Sequence, residues 1–223
     1  MTVALLSDVH ANLVALEAVL AALPEVDAIW VMGDTVGYGP DPADTLALLR
    51  ERGAVMVAGN HDRAVGTGDG LALFNAAARE AAERHRSWLS AEDRDALAAL
   101  PLTLDPARSF TICHGSPRDP LWEYVFDARI AARAMAGLDA TRCCVGHTHV
   151  PATFHAGDGK TMVNPGSVGQ PRDGDRRAAY ALLEPATGAV DFHRVGYDIP
   201  TTQRRMRERG LPEMLADRLS FGL

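Results

Sequence analysis

Five apolar runs in this sequence each end in a short polar motif, and few folds can accommodate that arrangement. The apolar runs cover residues 2–7, 28–33, 54–59, 109–113 and 142–146. The polar motifs are Asp8-Val9-His10, Gly33-Asp34-Thr35-Val36-Gly37, Gly59-Asn60-His61-Asp62, His114-Gly115 and Gly146-His147-Thr148-His149. Parallel strands deliver their carboxyl ends to one edge of an open sheet, where binding sites form. The pattern therefore predicts a sheet that gathers these polar side chains at one edge.

The segments between the runs predict the rest of the fold. Helical spacing covers residues 12–23, 41–52 and 201–210, and two helices are expected between residues 74 and 100. Single helices between strands indicate parallel βαβ units. Four closely spaced strands at 152–156, 161–165, 178–184 and 189–195 indicate an antiparallel part. We therefore expect an α/β (α+β) protein with one domain over residues 1–223 and a helical segment at about 70–100 flanking the site.

Seven side chains from the five motifs are candidate metal ligands. They are Asp8, His10, Asp34, Asn60, His114, His147 and His149. Oxygen and imidazole ligands without a thiolate suit Mn²⁺, Fe, Zn²⁺ or Ni²⁺ better than Ca²⁺. Seven ligands exceed what one ion can use, but two ions that share one carboxylate would use them all. Each motif alone also fits an ordinary turn at a strand end, and it is their occurrence together that predicts two divalent metal ions, most of all Mn²⁺.

Charge and composition exclude several classes of partner. The net charge of −7 disfavours binding to long nucleic acid, although a metal site can reverse the sign locally. No segment approaches the roughly 20 apolar residues that a membrane helix requires, so no membrane partner is expected. The N-terminus shows no signal peptide, and three cysteines are a poor basis for a disulfide framework. We expect a cytoplasmic protein; a homo-oligomer remains an option.

The five motifs, in this order, resemble the signature of the calcineurin-like metallophosphoesterases. The resemblance covers residues 8–149 and extends to about residue 195 through "VNPGSVGQPRDGD", which looks like the small bacterial and archaeal phosphodiesterase branch. It implies a four-layer αββα sandwich with mixed β-sheets. It also implies one metal held by Asp8, His10, Asp34 and His149, and a second held by Asp34, Asn60, His114 and His147. Ala11 stands where relatives often have glycine, and we expect little consequence.

The resemblance implies hydrolysis of a phosphoester by a hydroxide shared between two metals about 3.5–4 Å apart. A phosphodiesterase acting on small or nucleotide-type esters is the leading interpretation. A dinucleoside polyphosphate hydrolase and a phosphomonoesterase are alternatives of the same class. A non-catalytic protein-binding scaffold is the alternative of another class, because a retromer subunit uses this fold mainly to bind proteins. The presence of His61 beside every ligand favours the enzyme.

Further residues are assigned to catalysis and substrate binding. His61 is expected to act as an imidazolium that protonates the departing alkoxide, and Asp62 either orients that ring or caps a helix or turn. Asn12 touches substrate or caps the first helix, Tyr38 stacks on a substrate ring or belongs to a turn, and Arg172 pairs with a phosphate or lies in a solvated loop. His85 lies outside the motifs and is expected at the surface or in packing.

Overall fold

The computed structural model describes residues 1–223 and contains two five-stranded mixed sheets. The strands are β1 (Val3–Leu6), β2 (Ala28–Val31), β3 (Val55–Met56), β4 (Thr103–Ala107), β5 (Phe110–Cys113), β6 (Arg142–Cys144), β7 (Ala152–Ala156), β8 (Lys160–Asn164), β9 (Ala178–Glu184) and β10 (Ala189–Val195). The helices are α1 (Leu13–Ala22), α2 (Pro42–Glu51), α3 (Asn60–Thr67), α4 (Ala76–Trp88), α5 (Ala91–Ala98), α6 (Ala128–Ala134), α7 (Ile199–Glu208) and α8 (Glu213–Asp217). No helix combines the length and the apolar character of a membrane span.

Both sheets are mixed, with antiparallel strands on one side of the first sheet and at both edges of the second. The first sheet has the order β10-β9-β1-β2-β3, in which β1, β2 and β3 are parallel. The second has the order β4-β5-β6-β8-β7, in which β5, β6 and β8 are parallel. The predicted antiparallel part consists of two hairpins, β7–β8 and β9–β10, which belong to different sheets.

Alternation along the strands divides the core into layers. Val3 and Leu5 of β1 pack toward the second sheet, where they share a cluster with Ile112. Ala4 and Leu6 point to the other face and pack on α1. On the far side of the second sheet, α6 packs against the strands. Because successive side chains of a strand face opposite sides, one strand can serve both interfaces. The expected four-layer αββα sandwich with mixed sheets is confirmed.

The helices between residues 60 and 98 join α7 and α8 in a separate apolar cluster beside the sandwich. Val65 of α3, Leu97 of α5 and Leu215 of α8 are buried together in it. The two helices expected between residues 74 and 100 are present as α4 and α5. Ser90 caps α5 by accepting a hydrogen bond from the Asp93 amide at 3.0 Å. This cluster forms one wall of the cleft described below.

Four elements were not predicted, and one predicted strand is much shorter. Strand β4 and helices α3, α6 and α8 had no assignment, while the expected strand at 54–59 pairs only at Val55 and Met56. Helix α3 carries Gly66 and mostly polar residues, so its pattern is weak. Its first turn is held by tertiary contacts to residues that are distant in the sequence, which local patterns do not record.

Candidate metal centre

The seven candidate ligands lie where the two sheets meet. Asp8 and His10 follow β1, Asp34 follows β2, and Asn60 opens α3 after β3. The second sheet contributes His114 after β5 and both His147 and His149 after β6. All seven are buried. The structure therefore brings together every residue that the sequence assigned to the metal ions.

Five of the seven ligands have a left-handed backbone, which side chains other than glycine rarely adopt. Their φ values are 52° for Asp8, 49° for His10, 52° for Asp34, 69° for His147 and 61° for His149. Such conformations cost free energy and tend to cluster at functional sites. The loops thus adopt backbone conformations that reduce the stability of the fold but turn these side chains toward a common centre.

Asp8, His10 and His149 form one half of the centre. The Nε2 atoms of His10 and His149 are 3.1 Å apart, and His149 Nε2 lies 3.2 Å from Asp8 Oδ1. The other ring nitrogen, Nδ1, lies beside a backbone carbonyl in both residues. His10 Nδ1 is 3.0 Å from the Val36 carbonyl oxygen, and His149 Nδ1 is 2.5 Å from the Gln170 carbonyl oxygen. Each Nδ1–H therefore donates to a backbone carbonyl, which leaves an Nε2 lone pair facing the centre.

Asn60, His114 and His147 form the other half. His114 Nδ1 donates to the Met32 carbonyl oxygen at 2.8 Å, so its Nε2 also carries a lone pair. That Nε2 lies 3.0 Å from Asn60 Oδ1 and 2.9 Å from His147 Nδ1. His147 uses Nδ1 toward the centre, and its buried Nε2 has no hydrogen-bond partner.

Asp34 lies between the two halves. Its Oδ2 is 3.6 Å from His10 Nε2 in one half and 3.4 Å from His114 Nε2 in the other. Its Oδ1 accepts a hydrogen bond from the His61 amide at 2.9 Å. A Cβ at Gly59 would lie 2.0 Å from Asp34 Oδ1, so only glycine lets the start of α3 approach Asp34 this closely. Asp34 has the position that a shared carboxylate requires.

The chemistry of these side chains fits cations. Lone pairs of His10 and His149 oppose each other at 3.1 Å, and a second group around His114 repeats the arrangement. Burial, together with the charges of Asp62 and Asp8, raises the pKa of Asp34 well above its usual range. Three overlapping sets of three side chains could each hold a metal ion, namely Asp8/His10/His149, Asp34/His114/His147 and His10/Asp34/His61. Divalent cations would relieve both the opposed lone pairs and the crowded carboxylates.

His61 lies beside the centre, packed between aromatic rings. Its ring stacks on Phe74 with centroids 4.3 Å apart and lies 4.4 Å from the Tyr38 ring. Burial, with a contribution from the nearby Arg172, lowers the pKa of His61 well below its usual range. Burial penalises the charged form of the ring, so the imidazolium that the sequence predicts would require a negatively charged neighbour such as a bound ester.

Asp62 makes no hydrogen bond to the His61 ring. Its carboxylate accepts hydrogen bonds from the Gly59 amide at 2.9 Å and from the Val36 amide at 3.1 Å. Burial raises its pKa to about 7. Of the two interpretations of Asp62, the structure shows the cap on α3, which also ties that helix to the loop after β2.

A cleft of about 110 Å³ opens over the centre. Tyr38 and Arg172 line it, together with Asp34, Asn60, His61, His147 and His149. Asn12 does not line this cleft. Its Oδ1 accepts from the Ala15 amide at 3.2 Å at the start of α1, and its Nδ2 donates to the Gly169 carbonyl at 2.9 Å. Asn12 is thus the helix cap that the sequence offered as the alternative to substrate contact.

Several residues of the cleft had no role in the sequence analysis. Phe74, Trp122 and Tyr124 line it, and they come from loops without periodic patterns. His85 was expected at the surface or in packing, and it is fully buried behind the loop that carries Tyr38. Its Nδ1 accepts from the Gly37 amide at 3.0 Å and its Nε2 donates to the Gly39 carbonyl at 2.8 Å. The only feature of the sequence that could have indicated this role is that His85 is an isolated histidine in an alanine-rich helix.

Comparisons with known proteins agree with this geometry. A family model described as a calcineurin-like phosphoesterase superfamily domain matches residues 1–188. The crystal structure of a metallophosphoesterase from Sphaerobacter thermophilus superposes over 100% of both chains with a TM-score of 0.88 and 43% sequence identity. An uncharacterised protein of Methanocaldococcus jannaschii is 32% identical, with 99% of this chain and 98% of that protein covered.

A third relative is similar over a shorter region. The symmetrical bis(5'-nucleosyl)-tetraphosphatase of Pectobacterium carotovorum is 38% identical over 103 residues, which is 44% of this chain and 35% of that enzyme. The family model and the relatives matched over the whole chain decide the assignment. This chain belongs to the calcineurin-like phosphoesterase superfamily, and it is a phosphoester hydrolase.

Proposed function

We propose that this protein is a two-metal phosphodiesterase that acts on small or nucleotide-type esters, with Mn²⁺ as its preferred cation. The observation that carries the proposal is the position of Asp34 Oδ2, between imidazole nitrogens of two separate ligand groups at 3.6 and 3.4 Å. One metal would take Asp8, His10, Asp34 and His149, and the other Asp34, Asn60, His114 and His147. When bound, such ions supply Lewis acidity toward phosphoryl oxygens and a nucleophile from water at neutral pH.

Charge favours a diester over a monoester. Two divalent ions with the carboxylates of Asp8 and Asp34 leave the centre positive even after a hydroxide is counted. A phosphodiester carries one negative charge, which matches this balance. Arg172 lines the same cleft and could pair with a non-bridging phosphoryl oxygen. Its guanidinium is held in place by Gln170, whose Oε1 accepts from Arg172 Nη2 at 2.9 Å.

We assign the protonation of the leaving group to His61. It lines the cleft beside Asn60, and its buried Nδ1 has no hydrogen-bond partner. Burial lowers its pKa, but the negative charge of a bound ester would favour the imidazolium again. The protonated ring could then transfer its proton to the departing alkoxide, a contribution of about 10²–10⁴-fold in rate.

A dinucleoside polyphosphate hydrolase is the second candidate. The similarity to a symmetrical bis(5'-nucleosyl)-tetraphosphatase, which covers 44% of this chain, favours it.

The cytoplasm is the location we propose. The three cysteines are free, which supports this location because thiols stay reduced in the cytoplasm.

The test combines metal analysis with a substrate panel. Metal content per chain is measured after loading, and diesters, monoesters and dinucleoside polyphosphates are each assayed with Mn²⁺, Fe²⁺, Zn²⁺, Ni²⁺ and Mg²⁺. We expect two ions per chain and the highest kcat/KM on a diester with Mn²⁺. Faster turnover of a dinucleoside polyphosphate would favour the second candidate. One ion per chain, or none, would contradict the two-metal centre.

A further inference from the structure

Two exposed aromatic rings lie at the mouth of the cleft, and the hydrolytic centre does not account for them. Tyr124 lines the cleft, and Phe126 stacks on it with centroids 5.5 Å apart and an interplanar angle of 4°. Phe126 is 62% exposed and Tyr124 is 43% exposed. Large apolar side chains left in water next to a binding site are an informative exception to burial.

The pair is continuous with the metal centre. The Tyr124 ring also stacks on His147, with centroids 3.8 Å apart and an interplanar angle of 21°. Three nearly parallel rings therefore run from a candidate metal ligand outward to solvent. A phosphoester whose phosphoryl group occupies the centre would carry its organic group along this row.

The surroundings of the row suit a ligand that is anionic at one end and planar at the other. Arg172 supplies a positive charge in the cleft, while Phe126 offers an apolar face outside it. Aromatic side chains stack on nucleobases with little preference for sequence, because every base has a π-face. A nucleotide has the two parts in the required order.

We propose that the outer face of Phe126, supported by the Tyr124 ring beneath it, forms a base-stacking surface, which binds the nucleobase of a nucleotide ester while its phosphoryl group occupies the metal centre. The proposal rests on the proposed function, since it takes the centre as the phosphoryl site. Stacking on a partly exposed ring is expected to contribute about 5- to 10-fold in affinity, the lower end of the range for a base on an aromatic side chain.

The test measures binding rather than turnover. The probes are the methylenephosphonate analogues of adenosine 5'-monophosphate and of ribose 5-phosphate, whose carbon–phosphorus bonds prevent hydrolysis. Both are titrated into the Mn²⁺-loaded full chain by calorimetry. We expect the adenosine analogue to bind about 5- to 10-fold more tightly. Phe126→Ala should remove that margin without changing the affinity for the ribose analogue, and Phe126→Trp should keep it.

The control is a ring of equal exposure elsewhere. Phe221 near the C-terminus is 63% exposed, and Phe221→Ala should leave both affinities unchanged. Equal affinities of wild type for the two analogues would overturn the stacking surface and leave the phosphoryl site intact. Binding of neither analogue would overturn the stacking surface, whereas the diesterase itself is tested by the substrate panel described above. An undiminished margin in Phe126→Ala would also overturn the proposal, because Phe126 is its outer ring.

Discussion

The imidazoles of His10 and His149 face each other through their Nε2 atoms at 3.1 Å. Both Nδ1–H groups donate to backbone carbonyls, so no proton lies between the two Nε2 atoms. Two lone pairs at this distance repel unless a cation lies beside them. This ring pair is therefore arranged to face a cation, and its lone pairs would repel each other without one.

Metal binding should stabilise the protein strongly. We expect each of the two Mn²⁺ ions, at about 100 times its Kd, to add about 2.7 kcal/mol to the free energy of unfolding, which corresponds to a rise in Tm of about 5–10 °C per ion for a chain of this size. Differential scanning calorimetry with and without a chelator measures the shift. Asp34→Asn should abolish most of it, because Asp34 contacts both ligand groups. A full shift in that variant would refute the shared carboxylate.

Replacement of His61 should slow chemistry without removing metal. His61→Ala is expected to lower kcat by about 10²–10⁴-fold on esters with alkyl leaving groups. The loss should be much smaller on 4-nitrophenyl esters, because that leaving group departs without protonation. Metal content per chain serves as the control and should equal that of the wild type. Equal losses on the two kinds of ester would contradict proton transfer by His61.

Arg172 should contribute mainly to substrate binding. We expect Arg172→Ala to raise KM by about 10-fold, the value of one charge-assisted hydrogen bond to an anion, with a smaller change in kcat. Steady-state kinetics on one diester measure both constants. Arg176 lies four residues away in the same loop and is exposed, so Arg176→Ala is the matched control. An unchanged KM in Arg172→Ala would show that the Arg172 side chain does not contribute to substrate binding.

His85 should make stability depend on pH. Burial lowers its pKa from 6.5 to about 4, so the unfolded chain takes up a proton at a higher pH than the folded protein does. The contribution is intact above pH 6.5 and is lost as the pH falls toward 4, by about 3 kcal/mol in total.

The variant His85→Gln isolates this effect. Denaturant unfolding of the metal-free protein between pH 7.5 and 4.5 should show a flatter pH dependence for the variant than for the wild type. The histidines of the metal centre titrate in the same direction in both proteins, so the difference between the two curves reports His85. Parallel curves would show that His85 does not titrate in this range.

The parts of the site that could be predicted are those that strand geometry fixes. Asp8, Asp34 and His114 each follow an apolar run, and parallel strands bring such positions to one edge. The roles of Asp62 and Asn12 required the structure, because a cap and a substrate contact use the same residue types. Tyr124 and Phe126 could not be predicted, since their loop has no period and only tertiary packing places them beside His147.

The seven proposed ligands are divided between the two sheets, with four before residue 61 and three between residues 114 and 149. During synthesis, the ribosome must therefore release two thirds of the chain before the last ligand, His149, can join the first, Asp8. The second imidazole of either proposed ion site, His149 or His147, therefore becomes available only late in synthesis. A truncated chain that ends before His149 would lack part of the proposed centre, and it could not hold both ions with their full sets of ligands.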